Sequence, residues 1–260
     1  MTTWGVLFAK ECLELKRSFK WLWVPLVFLL VGISEPVTAY LMPDILRAAG
    51  GLPEGTIMQI PVPTSGEALA SVLSNYSTIG LLVLVLAFMS TVSGERQRGI
   101  TGLIMAKPVS VFAYLSSKWV ASLLLTWSSL LIGFAGGWYY TDLLLGKVDA
   151  VSAVKALLVY GVWVTVVMTL ILLMSSWLAG GAAAAAITLL IAAALSILTS
   201  LLGKWMYWSP ARLSSHAGEL ILKGKTLENF NISLLASGLA IGILLACAVQ
   251  LFTKSSTRMQ

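Results

Sequence analysis

Charge is scarce in this 260-residue chain. Asp, Glu, Lys and Arg together make up 11% of it and hydrophobic residues 58%, where soluble domains carry about a quarter charged residues. That composition excludes an ordinary water-soluble domain and makes a bilayer the solvent, as a mean hydropathy of +0.90 also requires. Histidine is nearly absent: His216 stands alone, and no His-Glu-x-x-His or paired-glutamate motif accompanies it. The chain therefore offers no catalytic set and no metal set, which argues against an intramembrane protease or any enzyme acting by itself. Cys12 and Cys247 lie near opposite chain ends without ligand spacing and read as two reduced thiols. No Gly-x-x-x-x-Gly-Lys-Ser/Thr run occurs, so nucleotide phosphates have no glycine-rich cradle here. The net charge of +6 is scattered over loops, a distribution that suits lipid headgroups and argues against nucleic acid as a partner.

Long apolar runs are what the chain has in abundance. Six of them fall near Trp21 to Leu41, Tyr76 to Val92, Trp119 to Tyr140, Ala156 to Leu178, Ala182 to Leu202 and Ser233 to Phe252, each close to the roughly 20 residues a helix needs to cross about 30 Å of hydrocarbon. The runs are continuous and do not alternate, which predicts spanning helices and excludes a membrane barrel. The expected fold class is all-α: one six-span domain over 1–260. Ala179, Gly180 and Gly181 leave so little chain between the fourth and fifth spans that these must form a tight antiparallel hairpin. No repeat of fixed period is present.

Ahead of the first span, Trp4, Leu7, Phe8, Cys12, Leu15 and Phe19 recur at helical intervals while Lys10, Glu14 and Arg17 line another face. Residues 1–20 are expected to form an amphipathic helix in the headgroup plane. Charges that run to Lys20, with no small-residue cleavage site at a suitable distance, argue against a signal peptide. Lysines and arginines number ten in the segments on the amino-terminal side and seven on the other, with Lys10, Lys16, Arg17 and Lys20 just before the first span. Both termini and residues 93–118 are thus expected in the cytoplasm, with the cell membrane as location. On the outer side, Pro43, Pro53, Pro61 and Pro63 with Gly50 and Gly51 predict an irregular cap over 42–75 that leaves little room for long helices. Residues 203–232, with Trp205, Met206, Tyr207 and Trp208, predict a segment at the interface, with a short re-entrant helix as one form.

Two features within the spans stand out. Glu35, beside Pro36, is the one serious candidate for an ionisable pathway residue; it either faces the pathway, satisfies backbone groups freed by the proline, or sits exposed at the headgroups. Gly133 with Gly137, and Gly238 with Gly242, have the spacing that lets helices approach closely, within the chain or between copies.

The stretch "SGERQRGITGLIMAKPVSVFAYLSSK", residues 93–118, interrupts the apolar pattern with Glu95, Arg96, Arg98, Lys107 and Lys118. Gly99 permits a turn, Ile100, Leu103 and Ile104 share a helical face, and Pro108 stops the helix. An apolar stripe with charged ends makes a docking knob, while an ordinary basic loop would satisfy the orientation rule without any partner. The run from Glu95 through Gly99, then Lys107, Pro108, Val109 and Ser110, then Tyr114, Leu115 and Lys118, resembles the first cytoplasmic loop of ABC-2 type transporter permeases. In that family a glutamate, a glycine and "PVS" precede an aromatic and a lysine that open the third span. The resemblance extends to the amphipathic start, the six spans, the larger outer segment before the last span and the short tail. Here Ile100 separates the glycine from Thr101, and Val111 stands where a basic residue is common; both departures bear on which ATPase would pair with the chain.

The resemblance implies a coupling helix seated in a groove of a separate ABC ATPase subunit, which would bind ATP and Mg. Glu95, Arg96 and Arg98 would lie at the groove rim, Ile100, Leu103 and Ile104 on its floor, with Gly99, Lys107 and Pro108 bounding the knob. It further implies a second permease, identical or related, and export. Spans with few polar handles suit an amphipathic, lipid-like or peptide substrate. The competing expectation is a membrane anchor or sensor that recruits an ATPase and moves nothing.

Overall fold

The computed structural model describes residues 3–48 and 63–257, and every regular element among them is helical. Six helical stretches are long and apolar enough to cross a membrane: Lys20–Met42, Ser65–Gln97, Val111–Leu144, Ala150–Trp177, Gly181–Leu201 and Phe230–Lys254. All six expected spans are therefore present, most with longer ends.

Helix α1 (Thr3–Arg17) buries Leu7, Glu11 and Leu15 at four-residue spacing. Phe19, at a φ of 55°, turns the chain into α2 (Lys20–Ala48). The second span starts eleven residues earlier than its apolar run suggests. Thr64 accepts from the Glu67 N–H while the Glu67 carboxylate accepts from the Thr64 N–H, a capping box that opens α3 (Ser65–Asn75). Ala68, Leu69, Val72 and Leu73 are then buried on one face. So the irregular cap expected over 42–75 is helical at both described ends, with α2 running through Pro43. Pro53, Pro61, Gly50 and Gly51 lie outside the described residues. A π-helical turn, Tyr76–Gly80, joins α3 to α4 (Leu81–Phe88), and α5 (Ser93–Gln97) ends the span.

The closest packing joins α2 to the third span, α7 (Val111–Leu144). A Cβ on Gly133 would fall 2.6 Å from the Phe28 carbonyl oxygen, and one on Gly137 would fall 2.8 Å from that of Gly32. This glycine pair is thus used inside the chain. Gly238 and Gly242 have nothing within 4 Å of an added Cβ.

Helix α8 (Ala150–Trp177), capped where Asp149 accepts from the Ser152 N–H at 2.8 Å, is the central post. Its apolar window is 89% buried, against 22% and 17% for α9 (Gly181–Leu201) and α11 (Phe230–Thr257), which present most of their surface outward. Only Leu178 to Gly180 separate α8 from α9, as the hairpin requires. Trp119 Nε1 donates to Thr169 Oγ1 at 2.9 Å, satisfying two polar groups between α7 and α8. Between the fifth and sixth spans, α10 (Arg212–Lys223) buries Leu213, His216, Ala217, Leu220 and Ile221 and stops at Gly224, whose φ is 66°. It packs on α8 and α3.

Candidate functional site

The knob is built at the end of the second span. Ser175 Oγ, near the end of α8, accepts from the backbone N–H groups of Val92 and Ser93 at 3.1 and 3.2 Å. The Arg96 guanidinium donates to the Ser176 carbonyl and lies over the Phe252 ring, 5.5 Å from its centroid. Gln97 Nε2 donates to the Ala179 carbonyl at 2.8 Å. Chain reversal then falls to Gly99, whose φ of 73° is the left-handed conformation that glycine adopts without strain. Helix α6 (Ile100–Met105) follows. After Lys107 and Pro108, Ser110 caps α7 by accepting from the Ala113 N–H at 3.1 Å.

On α6 the apolar stripe divides. Thr101 is buried, Ile100 and Ile104 are half-buried, and Leu103 is 74% exposed. Leu103, Ile104, Lys107 and Val109 form one wall of a groove of about 580 Å³ whose other wall is Thr3, Val6 and Leu7 of α1. The knob and the amino-terminal helix thus share one apolar surface.

Below that surface the charges behave differently from the rim the sequence suggested. Glu95 turns inward and is 1% exposed. Its carboxylate lies 3.0 Å from the equally buried Lys118 ammonium, accepts from the Tyr114 hydroxyl at 2.6 Å, and is bound by Lys10. Glu11 accepts from Lys118 at 2.8 Å and from Lys10 at 2.9 Å. Two ammoniums and two carboxylates therefore neutralise one another where α1, α5 and α7 meet. Burial opposes the charge on Lys10, but the hydrogen bonds it donates to Glu95 and Glu11, with their negative charges, outweigh it and hold its pKa above the ordinary lysine value. Carboxylate oxygens of Glu11, Glu14 and Glu95 come within 4.8 Å of one another, yet the Lys10 and Lys118 nitrogens already supply the cations among them. Arg96 is likewise held against the protein. Arg98 remains at the surface, 61% exposed and 3.8 Å from Glu14.

Glu11 was not singled out from the sequence. The signal was there: it occupies the apolar spacing Leu7, Glu11, Leu15, where a carboxylate needs a buried cation. Its partner Lys118 lies 107 residues away, and no local pattern pairs them.

Glu35 stands apart from this cluster, at the opposite end of the bundle. It is half-buried and accepts a hydrogen bond from Asn75 Nδ2, at the end of α3. Its described partner is a side chain of the second span and not backbone freed by Pro36.

The chain is 32% identical over 248 residues to the uncharacterized transmembrane protein YxlG of Bacillus subtilis (strain 168), a match that covers 95% of this chain and 96% of that protein. No protein-family model matches.

Proposed function

Since the chain belongs to the family of the Bacillus subtilis transmembrane protein YxlG, we propose that it is the membrane permease of an ABC transporter of ABC-2 type, driven by a separate ATP-hydrolysing subunit. One observation carries the reading: α6 carries a leucine, Leu103, that is 74% exposed beside a groove shared with α1. A leucine at the tip of a short helix, in a loop outside the spans and away from its own core, has a protein groove as its natural counterpart. The partner binds ATP and Mg; this chain supplies the knob. Arg98 and Lys107 meet the rim of the partner, and Glu95 holds the knob from beneath.

Force reaches the spans because α5 is tied to α8 through Ser175 and Ser176, and to α1 and α7 through Glu95. Closure of two ATPase subunits moves two such knobs and shifts two paired permeases between inward-facing and outward-facing states, provided nucleotide and substrate bind those states unequally. Export of an amphipathic or lipid-like molecule or a hydrophobic peptide fits spans whose surfaces are almost wholly apolar.

The test is a photoreactive benzoylphenylalanine at position 103, irradiated in native membranes. Crosslinking to an ATP-binding protein, together with nucleotide-dependent transport in vesicles, supports the reading. Crosslinking without transport by the reconstituted pair would make the chain an anchor, and crosslinking to lipid alone would remove the ATPase from the account.

A further inference from the structure

At the end of the bundle opposite α6, a cavity of about 530 Å³ opens between the start of α8, the end of α10 and the start of α11. The volume is that of an ordinary small-molecule site, which spans roughly 300–1,000 Å³. Its walls are Leu158, Val159, Leu220 and Phe230; its polar lining is Lys155, Lys225 and Thr226. No carboxylate lines it among the described residues. Of the acids nearby, Glu219 pairs with Lys223 at 2.9 Å, Asp149 caps α8 through the Ser152 N–H while exerting a Coulomb pull on Lys155, and Glu228 is exposed in the turn between Thr226 and Phe230 without lining the cavity. Neither Lys155 nor Lys225 has an ion-pair partner within 4 Å among the described residues.

Depth decides what such a cavity suits. Lys155 is five residues into α8, about 7.5 Å along the helix at 1.5 Å per residue, and Leu158 and Val159 lie about one turn deeper toward the middle of the bilayer. Gly224, in the left-handed conformation, ends α10 and starts the turn that brings Lys225 and Thr226 to the same cavity. Two exposed ammoniums therefore stand near the headgroup end of an apolar wall whose Leu158 and Val159 reach toward acyl depth. A free anion would use the lysines and leave the wall idle; a neutral lipid would do the reverse.

We propose that this cavity holds an anionic diacyl phospholipid of the leaflet opposite α6, with its phosphate between Lys155 and Lys225 and one acyl chain along Leu158, Val159, Leu220 and Phe230. The site is separate from the α6 groove, and the proposal does not depend on the permease reading.

Lipid retention on the whole purified protein tests it, by native mass spectrometry after exchange into mixed micelles containing equal phosphatidylglycerol and phosphatidylcholine. Wild type is expected to retain phosphatidylglycerol over phosphatidylcholine by roughly thirtyfold, the scale set by two lysines near a membrane surface. The Lys155→Ala, Lys225→Ala double variant should lose the preference and the Lys155→Arg, Lys225→Arg double variant should keep it. Lys204→Ala, which removes another exposed cation outside the cavity, should leave it unchanged. Both alanine substitutions are at exposed positions, and an unchanged melting temperature would confirm that the fold is intact. Equal retention of the two lipids by wild type, undiminished preference in the double alanine variant, or an equal loss in Lys204→Ala would overturn the site. Displacement of the lipid by millimolar inorganic phosphate would overturn the lipid assignment in favour of a free anion.

Discussion

The Lys118 ammonium and the Glu95 carboxylate lie 3.0 Å apart, each 1% exposed, at the point where the third span begins and the second ends. A pair so placed has lost its hydration and depends on its partners. Removing one member leaves the other buried and uncompensated, which costs about 3–5 kcal/mol in comparable cases, whereas removing both is far less damaging. Lys118→Met should therefore lower the melting temperature and yield sharply, and the added change Glu95→Gln should recover more than half of the loss. Thermal unfolding of the three variants in one detergent measures this. A double variant no better than Lys118→Met would mean that Glu95 is held chiefly by Lys10 and Tyr114.

Leu103 makes the opposite prediction. Being 74% exposed, it contributes little to its own fold, so Leu103→Ala should change stability by no more than about 0.5 kcal/mol. If it anchors a partner, the same change should weaken that association by about 2 kcal/mol, or roughly thirtyfold. Pull-down of the proposed ATPase partner by wild type and variant, with melting temperature alongside, separates the two effects. A fall in both together would mark Leu103 as a packing residue.

Gly133 and Gly242 have the same local motif and different surroundings. Gly133→Ala would drive a methyl group into the Phe28 carbonyl and the Tyr76 hydroxyl, which donates to that carbonyl at 2.8 Å; overpacking of this kind costs about 1–3 kcal/mol. Gly242→Ala meets nothing within 4 Å and should leave a single chain unaffected. Melting temperatures of the two variants under conditions that keep the protein monomeric test the contrast. Equal loss would place another surface against α11.

The spans were legible in the sequence because a membrane helix announces itself by length and continuity, and the hairpin at Gly180 because three residues leave no other path. The start at Ser65 is legible in principle, through Thr64 and Glu67, but the proline and glycine signals just before it are the stronger ones. Glu95 is conspicuous in the sequence but its burial is not, since a charged residue beside Arg96 and Arg98 reads as part of an exposed run. Its burial depends on Lys10 and Lys118, 85 and 23 positions away in opposite directions along the chain, and pairing at such separations is a property of the packed helices. The two glycine pairs were indistinguishable for the same reason: Phe28 and Gly32 decide what Gly133 and Gly137 touch.

His216 supplies a pH-dependent prediction. Its ring is buried on α10 against Phe230, and Nδ1 accepts from the Leu227 N–H at 3.1 Å, tying the loop after α10 back to the helix. Burial, with the nearby Arg212 charge adding to it, pushes the pKa down to about 4 from an ordinary 6.5. A proton on Nδ1 would remove the acceptor and place a charge in the interior. Because the folded pKa lies below the unfolded one, this contribution to stability is fully present above about pH 6.5 and is lost as pH falls through 6.5 toward 4. With one pKa unit worth about 1.4 kcal/mol, the loss is on the order of 2 kcal/mol after allowance for water reaching the loop. Hydrogen exchange at residues 212–230 should accelerate between pH 6.5 and 4.5, after correction for the intrinsic pH dependence, while α8 stays protected. His216→Phe should abolish that dependence while lowering protection at every pH, since the Leu227 N–H loses its acceptor. An unchanged pH dependence in the variant would assign the transition to another group.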